Sequence, residues 1–264
     1  MEGQFATPPL CTNEDGAERR VGVEVEFGGF DGLPAARLVA DLLGGRIVEK
    51  DPYDFRVKDT SLGEFTVKLD TRFGHHRSTS TDVLGALEAR LSTALGAAAS
   101  FIVPHEIVAP PVPLRQLATI EALLSRLRSA GAVGTEQSVF FAYGLHLNPE
   151  AARLDANYIT AILKAFVMLG PWLRKRINPD LTRRLLGFAD PFPRDYRAKL
   201  ARADYWPEFE QLIDDYVEAN PTRNRDLDML PLFARLDQSR VRIKLPDEKI
   251  NARPAFHYRH RMRS

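Results

Sequence analysis

With a single cysteine, Cys11, the 264-residue chain can form neither an internal disulfide nor a cysteine-built zinc site, and Cys11 lies in a polar leader where it reads as incidental. An excess of either charge is also lacking. Lys and Arg number 36 against 35 Asp and Glu, a formal net charge of +1, so no global field draws in nucleic acid or a membrane and any anion site must be local. The start, Met1-Glu2-Gly3-Gln4, has neither the basic residues nor the apolar stretch of a signal peptide. The apolar run near Ala161–Leu173 is interrupted by Lys164, Gly170 and Pro171. These absences predict a cytoplasmic protein that does not span a membrane and binds no nucleic acid. There is no Walker loop and no G-x-G-x-x-G, since Gly28-Gly29 does not supply one, so metals and basic side chains would have to hold any nucleotide. No internal repeat, heptad seam or low-complexity tract is found.

What is present is most informative at Arg20-Val21-Gly22-Val23-Glu24-Val25-Glu26-Phe27-Gly28. A strand points alternate side chains to opposite faces, so Val21, Val23, Val25 and Phe27 form a core face, while Gly22, Glu24, Glu26 and Gly28 form the other. The two carboxylates lie roughly 7 Å apart at Cα by strand geometry and repel unless water, a basic group or a cation lies between them. A half-exposed strand with a polar solvent side gives the same alternation. The glycines tip the balance towards a ligand, because glycine in a strand often marks a close approach.

Length and composition suit one large domain, read as a flexible leader over residues 1–18 followed by a single domain over 19–264. Pro34–Leu43 has helical spacing and ends at Gly44-Gly45. Arg46–Glu49, Tyr53–Lys58 and Glu64–Asp70 read as short strands in antiparallel sequence. A helix is predicted over Asp82–Leu95, a strand over Phe101–Val108, a helix from Leu114 to Ser129 and a strand over Val139–Asn148. The longest helix, Asp155–Arg176, has Asp155 as its N-cap, and helices near Asp195–Ala203 and Glu208–Ala219 follow. The second half is mostly helical until about Val241.

Four further segments carry groups suited to metal or phosphate. Asp59-Thr60-Ser61-Leu62-Gly63-Glu64 lies where one strand turns into the next, a place where acids are often turn residues only. His105-Glu106-Ile107-Val108-Ala109-Pro110-Pro111 sets Glu106 on rigid extended backbone. Gly144-Leu145-His146-Leu147-Asn148 puts an imidazole and an amide on a face cleared by Gly144, although a lone strand histidine is more often structural. Lys249-Ile250-Asn251-Ala252-Arg253-Pro254-Ala255-Phe256-His257-Tyr258-Arg259 alternates basic and apolar groups, as a phosphate-contacting segment or a simple basic tail would. Oxygen donors of this kind favour magnesium or manganese over zinc.

In order and context, Val23-Glu24-Val25-Glu26-Phe27, Lys58-Asp59-Thr60-Ser61-Leu62, Glu106 to Pro111, Gly144 to Asn148 and Arg253 to Arg259 resemble the amidoligase family. That family is grouped with glutamine synthetase and glutamate–cysteine ligase, ATP-dependent enzymes that join carboxylates to amines. The resemblance runs from about Val21 to Arg259 and implies magnesium or manganese on Glu24, Glu26, Glu106 and His146. It implies Asp59 as a further catalytic group, and ATP contacted by Arg253 with Lys58 and Asn251. Three departures stand out. Gly63–Pro104 separates the acidic turn from the acid-Pro-Pro strand, so Glu64 competes with Glu106; Ala109 replaces the usual serine; and more chain is expected after Ser264.

The fold so implied is α+β, a curved, mainly antiparallel sheet with helices on its outer face, as in glutamine synthetase. The reaction would couple a small-molecule or peptide carboxylate to an amine through an acyl phosphate. Two rivals remain open at this point: a metal-dependent phosphohydrolase, which needs no amine, and a non-catalytic, truncated nucleotide-binding protein, which would cleave nothing.

Overall fold

The computed structural model describes residues 6–28, 30–69, 105–131, 144–177 and 190–260. The chain divides into two compact units, one of Met1–Phe5, Val23–Leu145 and Arg261–Ser264, the other of Ala6–Gly22 and His146–His260. The helix expected at Asp82–Leu95, and the first residues of the strands expected at Phe101 and Val139, lie outside the described residues.

In the first unit, β1 (Arg20–Phe27, of which Val23–Phe27 belong here), α1 (Gly32–Leu43), β2 (Arg46–Asp51), β3 (Asp54–Thr60), β4 (Gly63–Leu69), β5 (His105–Val108) and the short β6 (Val112–Pro113) precede α2 (Leu117–Ser129). A single 3-10 turn, Leu114–Gln116, leads into α2. The strands pair in the order β2-β3-β4-β5-β1, every pair antiparallel, as the run of short alternating segments predicts. Val25, Ile107, Val67 and Phe55 share a row of the apolar face, and all are buried. Helix α1 packs on β3 and β4, with Ala35, Ala36 and Val39 fully buried. Gly32 permits the approach, because a Cβ there would meet the Phe55 ring at 3.0 Å and the His105 ring at 3.1 Å. The helix stops as predicted at Gly44 and Gly45, with φ of 75° and 101°, and a Cβ on Gly45 would collide with the Lys58 carbonyl.

The second unit contains Arg20–Gly22 of β1, β7 (Leu145–Pro149, from His146 onward), α3 (Ala156–Ile177), α4 (Arg194–Ala201), α5 (Phe209–Ala219), β8 (Leu227–Asp228), α6 (Leu230–Leu236), α7 (Gln238–Lys244) and β9 (His257–His260). Asp155 caps α3 by accepting from the Tyr158 amide at 2.7 Å. Among the described residues one helix, α3, is long and apolar enough to cross a membrane by length and composition, with mean hydropathy 1.2 over Ala156–Leu173. Ile159 and Leu163 on that helix are fully buried in a core with Leu200, Leu212, Ile213, Tyr216 and Phe233. Residues 6–18 are tied to the start of the helical region. The buried Arg19 guanidinium donates to the Glu150 and Leu10 carbonyls, Asn13 donates to the Glu150 carboxylate at 3.0 Å, and the Leu154 amide donates to Glu14 at 2.7 Å.

A polar knot holds α4 to α5. Asp215, buried on α5, accepts from Gln211 at 2.6 Å and Tyr205 at 2.8 Å and pairs with Lys199 at 2.6 Å. Burial alone would push its carboxyl up, but those three hydrogen bonds and the lysine charge outweigh it and hold the group below its ordinary value. The folded state therefore takes up the proton less readily than the unfolded chain, and the stabilisation is present above the unfolded value of about 3.9 and lost as pH falls through the folded one. Asp215→Asn is expected to cost about 2 kcal/mol at pH 7, with the gap to the parent closing in acid. Urea melts of both proteins between pH 7 and pH 3 check this; a gap independent of pH would mean the carboxylate charge contributes nothing.

Candidate functional site

The polar face of the first unit's sheet gathers charge in rows. Antiparallel register sets Glu26 opposite Glu106 and Glu106 opposite Lys68, which in turn faces Asp54. Directly opposed residues in such a ladder have Cβ atoms about 4.5–5.5 Å apart, and like charges so placed are destabilising. Here both acids are buried, Glu26 at 2% and Glu106 at 3% exposure, so their charges lack the screening of bulk water. The Lys68 ammonium lies 3.6 Å from Glu106 Oε2. Glu24, half-buried, occupies the next row on the same face, in line with Val108, Thr66 and Arg56. β1 is held in this register by the Glu26 amide donating to the Gly144 carbonyl at 2.8 Å and by the Ala109 amide donating to the Val23 carbonyl at 2.8 Å.

Further along the same face stand more cations, each with an acid. Arg56 pairs with Asp54 at 3.2 Å and donates to Thr66, and Glu64 lies 3.9 Å from Arg56 and 3.7 Å from Lys58. Glu64 thus belongs with the basic groups, whereas Glu106 lies opposite Glu26. Register thus sets Glu106, and not Glu64, directly opposite Glu26. Asp59 is elsewhere: it has φ 61° beside the β3–β4 turn and forms an exposed ion pair with Arg46 at 2.9 Å.

The second unit assembles a different cluster. His146 and Asn148 project from one face of β7, both buried. Arg253 donates to Asn148 Oδ1 at 3.0 Å and lies 3.0 Å from His257 Nδ1, while His257 Nδ1 also meets Asn148 Oδ1. The rings of His146 and His257 meet edge to face, 5.2 Å between centroids. Backbone bonds clamp Arg253 from two sides: its amide donates to the Pro231 carbonyl of α6, and the next residues bond to Pro149 and Ala151. Gly22 gives Asn148 room, since a Cβ there would lie 3.3 Å from Asn148 Cβ. Behind His257, its strand partner Asp228 is fully buried, pairs with Arg223 at 2.9 Å and accepts from the Leu230 amide at the start of α6. Burial pushes the Asp228 carboxyl up, against the pull of Arg223 and Arg259.

Of the residues singled out in the sequence, the structure brings Glu26 and Glu106 together with Glu24 one row away, and it gathers His146 with Arg253. Lys58 lies on the sheet's polar face, and Asn251 is exposed in the loop before β9. Lys68, Arg56, His257 and Asp228 were not singled out. Pairing register, which no local pattern reveals, shows what the first two face.

Among the described residues no three His, Cys, Asp or Glu side chains converge into a ready-made metal cage. Paired carboxylates nonetheless fit magnesium, which usually takes one or two carboxylates together with substrate phosphates. The class these features define is a mixed α/β protein with a mainly antiparallel sheet, helices, and buried acids on a polar sheet face. The family model described as putative amidoligase enzyme matches residues 17–261, and the chain belongs to that family. The resemblance read from the motifs, over Val21 to Arg259, is thereby borne out. No curated protein and no solved structure matches the chain.

Proposed function

We propose that the protein is an ATP-dependent carboxylate–amine ligase of glutamine synthetase-like fold that works through an acyl phosphate. The observation that carries this reading, beside family membership, is the buried Glu26–Glu106 pair with Lys68 at its side. Two opposed acids on a polar sheet face suit a divalent cation that travels with nucleotide phosphates. Bound there, magnesium would neutralise phosphate charge, which is most of what phosphoryl transfer requires.

The roles of the chain's own residues follow. Glu26 and Glu106, with Glu24 beside them, would hold the metal. Arg253, oriented by Asn148 and His257, has a guanidinium fork suited to phosphate oxygens, and the His146 ring packs against that of His257. Lys58 adds a nearby positive charge on the sheet. Asp59, exposed and paired with Arg46, is given no part. In the reaction a substrate carboxylate oxygen attacks the γ-phosphorus, and the bond to ADP breaks. The amine then attacks the acyl carbon, inorganic phosphate leaves, and the nitrogen loses a proton.

An acyl phosphate is open to any small strong nucleophile. Incubation with Mg-ATP, amino acids or acidic peptides, and hydroxylamine should yield a hydroxamate with ADP and phosphate. AMP and pyrophosphate would instead indicate adenylation and sink the mechanism. ADP release without carboxylate or amine would favour the phosphohydrolase, and no cleavage across a broad panel would favour a non-catalytic nucleotide binder.

A further inference from the structure

Lys68 lies beside the buried acid pair, between Glu106 on one neighbouring strand and Asp54 on the other. Its register partner on β5 is Glu106, whose Oε2 lies 3.6 Å from the Lys68 ammonium. Glu106 is 3% exposed in its side chain and Lys68 is 45% exposed. One partner is thus fixed in the sheet and the other sits on a flexible four-carbon stem that reaches solvent. Two opposed buried carboxylates need a counter-charge whether or not a metal is bound.

We infer that the Lys68 ammonium is a stand-in cation for the Glu26–Glu106 pair, which a divalent metal displaces, freeing Lys68 for the anionic group that arrives with the metal. The inference rests on the metal reading of the glutamates proposed above. It makes Lys68 a competitor of the metal in the ligand-free protein and a positioning residue for phosphate once the metal is in place. A lysine serves this exchange better than an arginine, because its single point charge releases a carboxylate that a guanidinium fork would hold at two points.

Manganese titrations without nucleotide, followed by calorimetry and by thermal melts of the full chain, test this with three proteins. Lys68→Met removes the competitor and should bind manganese about fivefold more tightly than the parent, while its metal-free form melts at a lower temperature. Lys68→Arg holds the pair harder and should bind manganese more weakly, with the metal-free melting temperature kept or raised. Opposite shifts in the two variants are the signature, and a purely structural ion pair would not produce them. If the parent binds manganese and both variants bind it equally or more weakly, Lys68 does not compete, and this inference falls while the metal site stands. If the parent shows no response to manganese or to Mg-ATP, the metal reading of the glutamates falls and takes this inference with it. Should Lys68→Met fail to fold, Lys68→Arg alone decides, since unchanged or tighter manganese binding there overturns the competition.

Discussion

In Glu26→Gln and Glu106→Gln, Mg-ATP is expected no longer to raise the melting temperature, and turnover should be abolished. Each substitution keeps the side chain's shape and removes one of two opposed buried charges, so repulsion in the metal-free protein falls and folding is retained. What goes is an oxygen donor with the charge a hard cation needs. For the parent, nucleotide at a hundred times its dissociation constant stabilises by about 2.7 kcal/mol, which in a chain of this size is a shift of about 5–10 °C. A melt of each variant with and without Mg-ATP reads this directly. Glu24→Gln, one row away and half-buried, should lose most of the same shift. A variant that keeps the parent's full Mg-ATP shift identifies its glutamate as no ligand.

Arg253→Ala is expected to weaken ATP by about ten- to a hundredfold, the worth of one or two charge-assisted hydrogen bonds, while the carboxylate substrate is scarcely affected. The guanidinium is already oriented by Asn148 and His257, so its fork meets phosphate oxygens with little further ordering. Lys at this position should recover only a small part of the loss, because a single ammonium cannot contact Asn148, His257 and phosphate in one plane. Titration calorimetry with ATP and magnesium decides it, beside a melt of the ligand-free variants to account for the partners that Arg253 leaves behind. Unchanged ATP affinity would reduce the segment to a basic tail.

Both experiments concern groups that the sequence half reveals. The alternation in Val21 to Phe27 places Glu24 and Glu26 on one face, and the structure keeps that face. Glu106 could be marked as fixed by Pro110-Pro111, but nothing local distinguishes it from Glu64, because cross-strand register depends on residues far apart in the chain. The same limit hides Lys68 and Arg56, whose spacing fits an ordinary solvated strand. His257 lies inside the motif that carries Arg253, yet its contacts with His146 and Asn148 join residues more than a hundred positions apart. Helix α6 falls in the stretch read as mostly helical, but its own bounds are not legible for a different reason. Leu230, Pro231, Leu232, Phe233 and Ala234 are all buried, so no polar face gives the helix a period, and proline near its start reads as a break although it is well tolerated there.

The division of β1 between the two units at Gly22 and Val23, and of β7 at Leu145 and His146, sets an order of events on the ribosome. The bulk of the first unit emerges as one uninterrupted stretch and can collapse while synthesis continues. The second unit cannot: Arg19 is made early, but the Glu150 carbonyl that receives its guanidinium comes 131 residues later. Its opening segment must therefore wait through the synthesis of the whole insertion, and closing so long a loop is the slow kind of step. Nascent chains long enough for residue 145 to have left the ribosome should already protect the sheet that carries Glu26, whereas the Arg253 cluster can form only when translation is complete.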